Sequence, residues 1–163
     1  MKSQIKKIVL FLAIIVNIGV LFVNIYNSIV YDPNWGTHIP SSIETARNYF
    51  TTKSPSNLFK IFGIVIHILG INSVIRFWKN DKQIRLYNIS ALFLILIIDL
   101  LTFAYFLPRN DIMFDLNSTA DIQTLTTAWR EWANMNWVRT FITFGIVMLY
   151  SLSLNKLYKL RQV

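Results

Sequence analysis

The sequence predicts an all-α integral membrane protein: a four-helix transmembrane bundle with two ordered, partly helical outer loops. Three observations carry this. Four apolar stretches reach the roughly 20 residues that cross a bilayer at about 1.5 Å each. Charged residues make up 15% of the 163-residue chain and hydrophobic ones 54%, whereas a soluble domain carries about 25% charged residues. The basic residues, finally, collect in alternate connecting segments.

The first span, about residues 8–30, follows Lys2, Lys6 and Lys7 and stops at Asp32-Pro33. A basic start before an apolar run also describes a signal peptide. This run is longer than a signal peptide's apolar core, and no small-x-small cleavage site follows it, so the reading is a retained helix. Between spans, Ser41 and Glu44 have the spacing of a capping box for a short helix ending near Thr51. The second span, about 58–78, begins after Pro55, and a short hairpin leads to the third, about 86–107, which Pro108 closes. Asp121 is placed to cap a helix that runs into the fourth span, about 137–158, because no Gly or Pro intervenes before Gly145. All four spans fall in one domain, residues 1–163.

Orientation follows the positive charges of the short loops. Lys2, Lys6 and Lys7 are basic; Asp32 and Glu44 balance Arg47 and Lys53 in the next segment. Lys79, Lys82 and Arg85 outweigh Asp81; Asp111, Asp115, Asp121 and Glu131 outweigh Arg109 and Arg130; Lys156, Lys159 and Arg161 end the chain. The alternation puts both termini in the cytoplasm of a multi-pass protein of the plasma (inner) membrane. The net charge of +8 then belongs to loops facing lipid headgroups, and no nucleic-acid partner is expected. With no cysteine, disulfide scaffolds, thiolate metal sites and thiol redox chemistry are excluded.

Polar residues inside a span are costly and so carry information. Asp99 lies nine residues before Pro108, about 13 Å below the outer boundary at 1.5 Å per residue. His67 sits at a similar depth in the second span. The two can pair, Asp99 fixing the tautomer of His67 and raising its basicity as a general base requires; equally, they can be structural contacts between helices. Asn17, Asn24, Asn27 and Tyr31 share one helical face, as polar glue or as part of a site that includes Asn24. Trp129, Trp132, Asn136 and Arg139 share another, presenting indoles, an amide and a guanidinium to the mouth of the bundle. That face suits a planar aromatic molecule bearing an anionic oxygen; its plainer reading is an interfacial aromatic belt, which Trp137 fits best. Arg139 is expected to point inward, with Asp99 as a partner. No two-histidine metal spacing is present, and His38 lies in a loop, so neither a metal nor a bis-histidine haem is expected.

Pro108-Arg-Asn110, Trp129-x-x-Trp132 and Asn136-x-x-Arg139 resemble the anthrone oxygenase-like family, small four-span membrane proteins with a P-x-N turn and a later tryptophan-to-arginine stretch. The motif match covers residues 108–139. The resemblance implies an oxygenase working without metal or flavin, which oxidises an activated aromatic carbon acid to a quinone. His67, Asp99 and Arg139 would be the catalytic residues. Asn24, Asn110, Trp129, Trp132 and Asn136 would bind a lipophilic aromatic or quinone-like molecule in the outer half of the bundle. The other reading is a non-catalytic membrane subunit or lipid-binding protein, as a homo-oligomer or with a membrane protein partner in a larger assembly.

Overall fold

In the computed structural model, which describes residues 2–52 and 54–160, every regular element is helical. Of the basic residues used above for orientation, Lys53, Arg161 and the side chain of Lys2 lie outside the described part. Four helices are long and apolar enough to cross a membrane, Gln4–Gly36, Pro55–Phe77, Lys82–Phe114 and Ile122–Lys159, and the chain is a multi-pass membrane protein.

The first of these is α1 (Lys2–Tyr26), a π-turn (Asn27–Tyr31) and α2 (Asp32–Gly36) in continuous succession. The third is α5 (Lys82–Leu101), a second π-turn (Thr102–Phe106) and α6 (Leu107–Phe114). Between them come α3 (Ser41–Tyr49) and α4 (Pro55–Phe77), and α7 (Ile122–Lys159) completes the fold. Helix α1 packs beside α7 and α4, and α5 beside the same two, so α4 and α7 face each other across the bundle's diagonal. Its two ends are the hairpin end, where α4 turns into α5, and the cap end, where α2, α3, α6 and the start of α7 pack together.

The expected stops at Pro33 and Pro108 do not occur. A proline ring inside an α-helix clashes with the carbonyl four residues back and offers it no N–H. Here those carbonyls, of Ile29 and Ala104, fall within the two π-turns, whose wider i→i+5 bonding changes the local geometry. Asp32 N–H accordingly donates to Asn27 O, and Leu107 N–H to Thr102 O. Side chains take neighbouring carbonyls: Asn34 Nδ2 donates to Val30 O at 2.6 Å and Arg109 Nη1 to Tyr105 O at 3.0 Å. Such local repair is how membrane helices tolerate proline. The expected P-x-N turn at Pro108–Asn110 is therefore helix.

The capping box expected at Ser41 does not form either. Ser41 is already helical and its hydroxyl donates to His38 O, while Pro40 occupies the cap position. Asp121 does cap α7, accepting from Thr124 N–H at 2.7 Å, and these backbone bonds hold its carboxyl below the usual carboxylate range. At 38 residues, α7 is about 57 Å long at 1.5 Å per residue. It spans both the bundle and the cap.

Two apolar cores follow from this plan. Towards the hairpin end, Leu10, Phe77, Ile84, Ile95, Ile146 and Tyr150 interlock, all nearly inaccessible. In the cap, Trp35, Ile43, Phe106, Met113, Leu125 and Trp132 form the second core. Arg47 ties α3 to α6, donating from Nε to Met113 O at 2.6 Å. The layer between the two cores is polar.

Candidate functional site

The polar layer is built from α1, its π-turn and α7. Asn24, Asn27, Ser28, Asp32, Asn136 and Arg139 are all buried there. The α1 stripe seen in the sequence holds as far as Asn27 and fails at Tyr31, which stacks on Trp35 in the cap with ring centroids 5.7 Å apart. Five residues beyond Asn27, an α-helix would point about 140° away. The i→i+5 geometry of the π-turn instead brings Asp32 back towards the stripe. Trp129 Nε1 donates to the Asp32 backbone carbonyl at 2.7 Å and holds it there. Gly36 is required beside that contact, since a Cβ would run into the Trp129 indole.

Asn136 organises the centre. Its Nδ2 donates to Ser28 Oγ at 2.7 Å and to Asn24 O at 3.1 Å, and its Oδ1 accepts from Arg139 Nη2 at 2.5 Å. The guanidinium lies 4.2 Å from the Phe106 ring centroid, 5.1 Å from that of Phe59 and 5.7 Å from that of Trp132, an aromatic enclosure that suits a cation removed from water. Phe106 comes from the second π-turn, so both π-turns deliver residues to this centre. Asp32 is buried in the same layer, and no ion pair joins it to Arg139 among the described residues.

Several buried polar atoms here have no hydrogen-bond partner within the protein: both Asp32 carboxylate oxygens, Asn24 Oδ1, Asn27 Oδ1, Arg139 Nε and Trp132 Nε1. A buried polar group in that condition costs about 1–3 kcal/mol, so their concentration in one layer calls for an explanation beyond packing. Ser28 and Asp32 also line a surface cleft of about 350 Å³, within the size range of small-molecule sites. Trp129 and Trp137 form its far wall.

His67 and Asp99 form a separate pair. His67 Nε2 and Asp99 Oδ2 are 2.7 Å apart, and His67 Nδ1 lies 2.7 Å from Gly63 O. Both ring nitrogens thus face acceptors, and the imidazole has none turned to open space. The side chains remain about one-third accessible, on the flank where α4 meets α5. His67 is eight residues along α4 from Phe59, and Asp99 seven before Phe106, so the pair lies roughly 10–12 Å from the level of the Arg139 guanidinium at 1.5 Å per residue. The expected Arg139–Asp99 partnership does not form: Asp99 is held by His67 and Arg139 by Asn136.

Of the residues singled out from the sequence, Asn24, Trp132, Asn136 and Arg139 come together. Trp129 stands at the edge, its N–H used by Asp32. Asn110 sits half-buried on α6, outside the polar layer. Sequence reasoning missed Asp32, read there as a helix stop, and with it Ser28 and Phe106. Pro33 was the reason: the absence of both Gly and Pro that extended α7 does not hold for Tyr31-Asp-Pro-Asn-Trp.

A family model described as anthrone oxygenase matches residues 52–149, more than half of the chain. The chain belongs to the anthrone oxygenase family. No curated protein and no solved structure matches it. The part shared with the family includes Trp132, Asn136 and Arg139; α1 and α2, which supply Asn24 and Asp32 to the same centre, lie before it.

Proposed function

We propose that this member of the anthrone oxygenase family binds a lipophilic aromatic carbon acid in the cap-end half of its bundle. It oxidises that molecule to a quinone with molecular oxygen and without metal or flavin. One observation carries the reading: buried donors (Arg139 Nε, Trp132 Nε1) and buried acceptors (Asn24, Asn27, Asp32) concentrate unpaired in one layer with aromatic walls. An aryl ketone with an acidic CH₂ suits such a layer, since its flat rings pack on aromatics and its oxygen accepts from the donors.

In this reading, loss of a carbon-bound proton gives an enolate whose oxygen is stabilised by Arg139, with Asn136 fixing the guanidinium. The electron-rich carbanion carbon then reacts with O₂. One oxygen atom becomes the new carbonyl, and the other leaves as water with the two hydrogens of the CH₂. The cap end faces the outside of the plasma membrane and both termini the cytoplasm, in keeping with the charge alternation of the loops.

The test is oxygen uptake with anthrone, using the full chain in lipid nanodiscs. Wild type is expected to consume O₂ and form anthraquinone. Arg139→Lys, which loses the planar fork, should lower the rate about 10-fold or more, as loss of a charge-assisted bond of about 1.5–3 kcal/mol predicts. Mass spectrometry of small molecules carried through gentle purification is a second readout. Wild type that neither binds nor oxidises anthrone, and carries only bulk phospholipid, would overturn the reading in favour of a non-catalytic membrane subunit.

A further inference from the structure

The reaction just proposed needs a proton acceptor, and the carboxylates of the chain can be compared for that task. Asp99 is bonded to His67 and Glu131 to Arg109. Asp81, Asp115 and Asp121 accept from backbone N–H groups at helix starts or turns, and Glu44 and Asp111 are exposed. Asp32 alone is buried, at 4% exposure, with neither oxygen hydrogen-bonded within the protein.

Its surroundings are specific. The π-turn sets its direction, and the Trp129 indole pins its backbone from the other side. Arg139 is buried in the same layer, and no ion pair joins the two among the described residues. A buried acid and a buried base in one layer, each with polar atoms free to bond, match a molecule that gives up a proton at one edge and gathers negative charge at another. A proton-accepting carboxylate serves the first edge, and the Arg139 Nε and Trp132 Nε1 donors serve the second.

We infer that Asp32 is the general base of this site. Resting on the oxygenase reading above, the assignment deepens it: the Asp32 carboxylate takes one proton from the acidic CH₂ of an aryl ketone and becomes a carboxylic acid. The electron pair of the broken C–H bond moves into the ring ketone as an enolate, with its oxygen towards Arg139 and Trp132. No oxidant enters this step, so it runs in the absence of O₂. Asp32 lines the surface cleft as well, so the residue that takes the proton also forms part of the wall by which a ligand arrives.

The experiment is anaerobic hydrogen–deuterium exchange at the CH₂ of anthrone in D₂O, followed by NMR, with the full chain in nanodiscs. Binding of 9,10-anthraquinone, which has no acidic CH₂, serves as the check on folding. Wild type should accelerate exchange over protein-free nanodiscs. Asp32→Asn should lower that acceleration about 100-fold or more, the lower range for loss of a general base, while still binding anthraquinone. Asp32→Glu, which restores a carboxylate, should recover part of it.

Exchange unchanged in Asp32→Asn but lost in Asp99→Asn would transfer the role to the His67–Asp99 pair and overturn the assignment alone. Loss of anthraquinone binding in both Asp32 variants, with wild type binding it, would reduce Asp32 to a structural group and also overturn it. Wild type that binds neither anthrone nor anthraquinone would overturn the oxygenase reading and this assignment together.

Discussion

Two sets of ionisable groups inside the bundle, His67 with Asp99 and Asp32 with Arg139, are built on opposite plans. His67 and Asp99 are in contact, with every nitrogen of the imidazole opposite an acceptor, on a flank that is one-third accessible. Asp32 and Arg139 are buried in one layer, are not joined, and keep polar atoms unmatched among the described residues. The first pair has solved the cost of placing charge in a bundle by closing on itself. In the second, that cost stands partly uncompensated among the described residues. Proximity alone would have ranked them the other way.

The largest effect should come from taking one member out of the open pair. Arg139→Met removes the charge-assisted bond to Asn136 and leaves the layer without its cation, and about 1.5–3 kcal/mol of stability should be lost, read from thermal unfolding in one fixed detergent. Adding Asp32→Asn should recover a large part of that loss; a double variant no better than Arg139→Met would mean that the two charges are not coupled. Gly36→Ala comes next. The new methyl meets the Trp129 indole, and a cost of about 1–3 kcal/mol is expected for overpacking. Faster proteolysis between α2 and α3 would report the loosened cap.

Asp99→Asn should cost less, about 1 kcal/mol, the scale of hydrogen bonds between membrane helices, since His67 keeps a neutral partner. A loss as large as that of Arg139→Met would erase the contrast between the pairs. Smaller still is Glu131→Gln. Glu131 meets Arg109 at 2.6 Å, but its side chain is 45% accessible, so less than about 1 kcal/mol is expected. Last is the Asp121 cap. Its depressed carboxyl adds stability at pH values above the ordinary carboxylate range, and this is lost as pH falls through the lowered folded value. Amide exchange in the first turn of α7 should therefore speed up in acid, and Asp121→Asn should remove most of that pH dependence.

The four helices were legible because span length and hydropathy are imposed by the bilayer. The unbroken α7 was legible because its cap, Asp121, and the absence of Gly and Pro are local facts. Asn136, Arg139 and Trp132 could be placed on one face because α7 keeps the α-helical repeat throughout. Asp32 could not, since its direction depends on a π-turn, and nothing in Asn27-Ser-Ile-Val-Tyr31 distinguishes i→i+5 bonding from i→i+4. Proline was read by its local rule, as a stop. In a helix held by neighbours the backbone widened instead, and Asn34 and Arg109 bonded the neighbouring carbonyls of Val30 and Tyr105. His67 and Asp99 were legible as two polar residues at one depth. The Gly63 carbonyl, which occupies the imidazole's other nitrogen, is a backbone group with no signature in the sequence.

A π-turn is equivalent to an α-helix carrying one surplus residue, and its effect is a change of phase. Everything beyond the surplus is rotated by about 100° relative to an uninterrupted helix. Deleting one residue from Asn27–Tyr31 would let the first helix close in ordinary α-bonding with Asp32 four residues after Asn27, about 40° round, so Asp32 and Trp35 would keep the side they now occupy. The π-turn thus absorbs the one residue by which the first helix exceeds an α-helical repeat, and keeps the residues beyond it in step with those before it, on the side that meets the arginine of the last helix.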